Sequence, residues 1–184
     1  MLQPVDFFNR LLESTPLDSA TLPHDCGLIS SSAMHLIPIP RDGCVRVSGV
    51  TFPEVAMSVI APTVQMYERR GYVEPWVGYL AIEGGKCVGA CGFTSPPVGE
   101  VAEIAYFTFP DFERRGVATR MAQRLIAIAQ ECDPSVKIIA HTLTEENPST
   151  HILRKLGFVF TGAVDHPEDG NIWEWSYERQ FNRT

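Results

Sequence analysis

The chain's 184 residues are enough for one domain with a sizeable core, since 45% of them are hydrophobic. A formal net charge of -7 argues against broad electrostatic binding to nucleic acid or an anionic membrane, although Arg114, Arg115 and Arg120 form a local basic patch. No uninterrupted apolar run is long enough to span a bilayer, and Asp6 with its polar neighbours stands where a signal peptide needs a basic start, so a cytoplasmic protein is expected.

Residues 4–13 read as a short helix that Asp6 can cap, with Phe7, Phe8, Leu11 and Leu12 on one side. A strand is expected over 34–39, stopped by Pro38 and Pro40. Thr51 and Glu54 have capping-box spacing. Pro62 removes a donor, so the pattern predicts a kink or two helices, about 52–60 and 62–70, ended by Gly71. Val55, Val59, Val64 and Tyr67 would form the buried wall.

From Trp76 the period becomes that of strands. Residues 77–83, the turn Gly84-Gly85, and residues 86–94 predict a hairpin, and 100–109 a third antiparallel strand. Cys87 and Cys91, four apart in a strand, share a face and read as small core residues. The five cysteines are odd in number and lack paired zinc spacing, so neither a disulfide framework nor a metal is expected.

A helix follows over 115–131, with Val117, Met121, Leu125 and Ile128 spaced for one buried face. The strand expected over 136–142 would lie parallel to 100–109 through a right-handed crossover. Asn147 caps the next helix, Pro148 opens it and Gly157 stops it. Strands over 158–164 and 172–178 close the chain, the second alternating Trp173, Trp175 and Tyr177. That aromatic strand and the apolar N-terminal helix are surfaces that a second copy could bury, as in a homodimer.

The strand–loop–helix over 104–121 is an anion site by its chemistry: free N–H groups, the positive end of a helix dipole and adjacent arginines all favour phosphate. Its loop, Pro110-Asp-Phe-Glu-Arg-Arg-Gly-Val-Ala118, resembles the pyrophosphate loop of the GNAT superfamily of acyl-CoA N-acyltransferases, with Gly116 and Ala118 at the small-residue positions. Glu146-Asn-Pro-Ser-Thr-His-Ile-Leu-Arg-Lys-Leu-Gly-Phe158 is similar to the helix that ends in the family's K-L-G-F. The resemblance covers roughly 76–178 and looks closest to the branch containing the ribosomal-protein N-terminal acetyltransferases.

That resemblance implies an α/β (α+β) fold with a mixed, mostly antiparallel twisted sheet flanked by helices. It implies one acetyltransferase domain over 1–184, in which 76–178 binds acyl-CoA and 1–75 is a variable acceptor-side region. Acetyl-CoA is the implied cosubstrate. Its pyrophosphate would lie on Arg114, Arg115, Gly116, Val117, Ala118 and Thr119, and its pantetheine arm along Phe107, Thr108 and Phe109, where the strand splays from its neighbour. Asn147 and Ser149 are candidate coenzyme A contacts or simply helix caps.

The acceptor would be a primary amine, on a small molecule or a peptide, attacking directly in a ternary complex. Glu103 matches the position of a carboxylate base in several relatives; the alternative is a strand glutamate on a solvated face. A lysine-like amine costs about 4–5 kcal/mol to deprotonate at pH 7 and an α-amine only ~1, so a base matters more for the former. His141 and Tyr106 are lesser candidates, each with a structural alternative.

Two positions depart from the family pattern. Glu113 places a carboxylate near the expected pyrophosphate, and Leu153 stands where many relatives have a tyrosine acid. The rival reading they suggest is a catalytically weak coenzyme A sensor or interaction module, and another is the use of a different acyl-CoA.

Overall fold

The structure is a computed structural model, and it describes residues 33–166 and 170–179. The helix expected over 4–13 lies outside them. The elements run β1 (His35–Pro38), α1 (Glu54–Arg70), β2 (Gly78–Glu83), β3 (Lys86–Phe93), β4 (Val101–Thr108), α2 (Val117–Cys132), β5 (Lys137–Thr142), α3 (Pro148–Lys155), β6 (Phe158–His166) and β7 (Gly170–Tyr177). A short 3-10 turn, Pro110–Phe112, links β4 to the loop before α2.

The seven strands are ordered β1-β2-β3-β4-β5-β7-β6. Every pairing is antiparallel except β4 with β5, which is parallel, as the strand–helix–strand order predicts. The family's mixed, mostly antiparallel sheet is therefore present. The last hairpin folds back so that β7, not β6, joins β5.

One half of the sheet separates from the other at a defined residue. β4 pairs with β5 only through Val101, Ala102 and Glu103, opposite Lys137, Ile138 and Ile139. β4 continues to Thr108 on the β3 ladder, while β5 continues to Thr142 on β7. The two strands thus form a fork whose apex is Glu103, and the β4 edge beyond it faces the opening.

Register assigns side chains to the two faces of the sheet. Gly78 pairs with Gly92 and Gly92 with Ala105, so Ala105, and with it Glu103, shares a face with Gly78. That face is covered by α1, because a Cβ on Gly78 would stand 2.7 Å from Thr63 Cγ2. Gly89 pairs with Thr108 and abuts Met121 of α2, so Thr108 and Tyr106 lie on the other face. Met121, Leu125 and Ala129 are buried there, whereas Ile128 is only partly so.

Two expectations for α1 need correction. Thr51 and Glu54 form no capping box: Pro53 holds the cap position, no side chain bonds there, and Thr51 bridges Lys86 instead. Pro53 lacks the N–H that such a box requires at its own position, and it starts the helix two residues later than expected. Pro62 does not divide the helix, which runs unbroken through it to Gly71. It forfeits one backbone bond, and the buried row Ala56, Val59, Ile60, Thr63, Met66 and Tyr67 on both sides of it holds the axis. Val55 and Val64, assigned to that wall by period, are only partly buried.

Candidate active site

Glu103 stands in β4 because its strand alternates: Ala102, Ile104, Tyr106 and Thr108 are buried under α2, and the residues between them turn to the α1 face. At the fork, Glu103 Oε1 lies 2.8 Å from His141 Nδ1, and its Oε2 accepts a hydrogen bond from Thr94 Oγ1 at 3.0 Å. On the other side of the ring, His141 Nε2 lies 3.6 Å from Glu174 Oε2. His166 completes the group, its ring centroid 5.9 Å from that of His141. The Glu103 side chain keeps 24% of its exposure and that of His141 10%, so the pair is sheltered but reachable.

The charges are mutually stabilised. Burial opposes ionisation of Glu103, but the hydrogen bond and charge of His141, with the Thr94 bond, more than offset it and lower its pKa. Burial likewise opposes protonation of His141, and the Glu103 hydrogen bond and charge, reinforced by Glu174, raise its pKa. With Glu103 accepting from Nδ1–H, the neutral ring presents Nε2 as its proton acceptor. Sequence reasoning named Glu103 and ranked His141 below it; it passed over Glu174 and Thr94. The alternation of Trp173 and Trp175 contains the missed signal, since it turns Glu174 to the opposite face.

The opposite face of the fork is polar in a different way. Tyr106 Oη, Thr108 Oγ1, Asn147 Nδ2 and Ser149 Oγ are all buried there without a hydrogen-bond partner. Asn147 does cap α3, its Oδ1 accepting from Ser149 N at 2.9 Å and Thr150 N at 3.1 Å, and Thr150 closes a capping box. Capping therefore uses the oxygen of Asn147 and leaves its amide nitrogen unspent. Ser149 Oγ takes no part in the cap.

The loop after β4 is shaped by two left-handed residues, Arg114 (φ 58°) and Gly116 (φ 71°). Gly116 is the N-cap of α2 with no side-chain bond, so the first-turn N–H groups at Val117, Ala118 and Thr119 are open to an anion. Arg114 and Arg115 are exposed beside them. Arg120 is not part of that free charge: it pairs with Glu83 at 2.9 Å and donates to Arg115 O at 2.9 Å, bracing the loop. The patch expected from three arginines is thus two arginines and a brace. Phe109 is buried with its ring 5.7 Å from that of Phe107, which fixes the end of β4, and Leu153 is wholly buried in the core.

Open amides at a helix start, the free edge of β4 and four unspent polar groups suit an elongated ligand carrying phosphate at one end and amides along its length, which is the chemistry of an acyl-CoA. Among the described residues no group of three His, Cys, Asp or Glu side chains is placed to hold a metal ion, and no helix is long and apolar enough to cross a membrane.

The chain matches the family model described as an acetyltransferase (GNAT) domain over residues 50–159. No curated protein sequence matches it. Among solved structures it is similar to RimL, the ribosomal L7/L12 alpha-N-protein acetyltransferase, in complex with coenzyme A. The TM-score is 0.58 and the identity 14%, covering 80% of this chain and 95% of that one. It is also similar to the microcin C7 self-immunity acetyltransferase MccE in complex with acetyl-CoA and AMP (TM-score 0.51, 18% identity, 67% and 71% covered). An acetyltransferase from Agrobacterium tumefaciens is a further likeness (TM-score 0.56, 14% identity, 88% and 100% covered). At these identities the structural likenesses speak for the fold.

Proposed function

The chain belongs to the GNAT acetyltransferase family and is an acyltransferase, and from that premise we propose that it transfers an acetyl group from acetyl-CoA to a primary amine by direct attack at the β4–β5 fork. The observation that supports this most is the Glu103–His141 pair at the fork apex, 2.8 Å apart and next to the open edge of β4. When bound, acetyl-CoA supplies an electrophilic thioester carbon.

The residues divide the work by position. Open N–H groups at Val117, Ala118 and Thr119, with Arg114 and Arg115, hold the pyrophosphate, and backbone approach at Gly116 makes room for it. Between Phe107 and Phe109, whose N–H bonds Val88 O of β3 at 3.1 Å, the backbone of Thr108 faces the opening and pairs with the pantetheine amides, while Asn147 and Ser149 bond to the arm from α3. Glu103 fixes the tautomer of His141, whose Nε2 takes the proton from the attacking amine; base catalysis of this kind contributes about 10²–10⁴ in rate. Glu113 weakens phosphate binding modestly, screened by solvent and by its arginine neighbours.

The region before β2 shapes the acceptor side in this reading, since α1 covers the face that carries Glu103. The acceptor, whether a small-molecule amine or a protein N-terminus, approaches from there, in the cytoplasm. Free-thiol release from acetyl-CoA, measured across polyamines, amino acids, aminoglycosides and short peptides with the mass of each product, tests the proposal. Amine-dependent release with one acetyl group added to the acceptor supports it. Coenzyme A binding with no release for any amine class favours the sensor reading.

A further inference from the structure

In the neutral ring whose tautomer Glu103 sets, two hydrogen-bond acceptors confront each other. His141 Nε2 carries a lone pair, and the carboxylate oxygen Glu174 Oε2 lies 3.6 Å from it. Glu174 is held there from β6, since Thr161 Oγ1 donates to its Oε1 at 3.0 Å and to its backbone O at 3.1 Å. A lone pair and an anion at that separation repel unless one donor serves both, and a single nitrogen can stand about 2.9 Å from each. The Glu174 side chain keeps 26% of its exposure, so a donor can reach it. The titratable groups around the ring are Glu103 on β4, Glu174 on β7 and His166 on β6. Arg70 of α1 reaches Thr94 O at 3.5 Å, on the Glu103 side of the ring, so the charge that meets a group approaching Nε2 is that of Glu174. Ala105 and Phe107, on the same face of β4 as Glu103, are only partly buried and give the opening an apolar wall.

We infer that Glu174 determines acceptor specificity by taking the amine as its ammonium ion, so that the substrate is an alkyl amine that is cationic at working pH. This rests on the proposed acetyl transfer and names its acceptor class. The ammonium nitrogen donates to Glu174 Oε2 and to His141 Nε2 together, with its carbon chain along Ala105 and Phe107. One ammonium proton passes to Nε2, the freed lone pair bonds to the thioester carbon, and the carbon–sulfur bond breaks with its electron pair on sulfur. The second proton shed by nitrogen ends on the thiolate, and His141 returns the first to solvent. The positive charge moves from amine to imidazolium without leaving the neighbourhood of Glu174. Its carboxylate therefore stabilises the bound ammonium and the reacting complex alike, which lowers KM and leaves kcat unchanged.

The test measures thiol release from acetyl-CoA by wild type and Glu174→Gln with two amines of one shape, butylamine, an ammonium ion at about pH 7.5, and O-propylhydroxylamine, which is neutral there. In Glu174→Gln the KM for butylamine should rise about tenfold or more with kcat within about twofold, while the KM for O-propylhydroxylamine stays within about twofold. The wild-type KM for butylamine should climb with ionic strength, and that of the variant should not. Glutamine keeps the shape of the side chain and an acceptor for Thr161, and turnover of the neutral amine by the variant controls for folding. Equal changes for the two amines overturn the inference, as does a fall in kcat at unchanged KM. Release by wild type with O-propylhydroxylamine but not with butylamine overturns it and leaves acetyl transfer standing, whereas release with neither amine counts against both.

Discussion

Glu103 Oε1 and His141 Nδ1 lie 2.8 Å apart across the parallel pair β4–β5, 38 residues apart in sequence. The contact forms at the last paired position, so the carboxylate and imidazole meet where the two halves of the sheet part.

The pair makes stability and activity depend on pH in opposite senses. His141 has a folded pKa above its reference of 6.5, so its contribution is fully present below 6.5 and is lost as pH rises through the folded value. Glu103 has a folded pKa below its reference of 4.5, so its contribution is present above 4.5 and is lost as pH falls through the depressed value. The stabilising pair is therefore complete between pH 4.5 and 6.5, and the melting-temperature difference between wild type and Glu103→Gln should be largest there. With His141 as the base we propose, activity needs its neutral form, so kcat/KM should rise with pH through a value above 6.5. In Glu103→Gln that inflection should move to lower pH, and an unmoved inflection would remove His141 from the proton path.

Gly116 tests the phosphate loop. Its φ of 71° suits glycine, and a Cβ there would stand 3.2 Å from Arg120 Nη1, the arginine that braces the loop. Gly116→Val should lower stability by about 1–2 kcal/mol, from left-handed strain on a β-branched residue. It should also abolish the rise in melting temperature that coenzyme A gives the wild type. Retained protection would place the cosubstrate elsewhere.

Tyr67 joins three elements. Its hydroxyl donates to Ile39 O at 3.0 Å and accepts from Gly78 N at 2.9 Å, tying α1 to the chain after β1 and to the start of β2. Tyr67→Phe leaves both backbone groups buried and unsatisfied, so urea denaturation should show a loss of about 1–3 kcal/mol. A loss within a few tenths of a kcal/mol would mean that other partners take over.

Gly78 and Gly92 pair across β2 and β3 with no room for a side chain on Gly92. A Cβ on Gly92 would meet Gly78 Cα at 2.6 Å and Val77 O at 2.7 Å, both backbone atoms that cannot swing aside. Gly92→Ala should cost about 1–3 kcal/mol in chemical denaturation. A neutral result would show that the hairpin can part there without loss.

Local signals in the chain were read well and distant ones poorly. The alternation through β2, β3 and β4, the cap at Asn147 and the stop at Gly157 each act within a few residues, and the structure has them where the sequence places them. The fork, implied by the family resemblance, is present, with Glu103 at its apex. The failures at Thr51 and Pro62 come from rules weighed without tertiary context: Pro53 displaces the capping box, and the packed face of α1 outweighs one missing backbone bond. Glu174 was passed over because its meeting with His141 requires β7 to insert beside β5, and strand order is set by long-range packing that a periodic pattern does not encode. The unspent hydroxyls of Tyr106 and Ser149 were hidden for the same reason, since burial without a partner is visible only once the helices are in place.

The central claim is amine acetylation at the fork, and parallel turnover of wild type and Glu103→Gln with acetyl-CoA tests it most directly, following thiol release and the mass of the acceptor together. The account predicts an acceptor heavier by one acetyl group, formed at least about tenfold more slowly by Glu103→Gln at unchanged coenzyme A affinity. Equal rates of the same product from both proteins would contradict it.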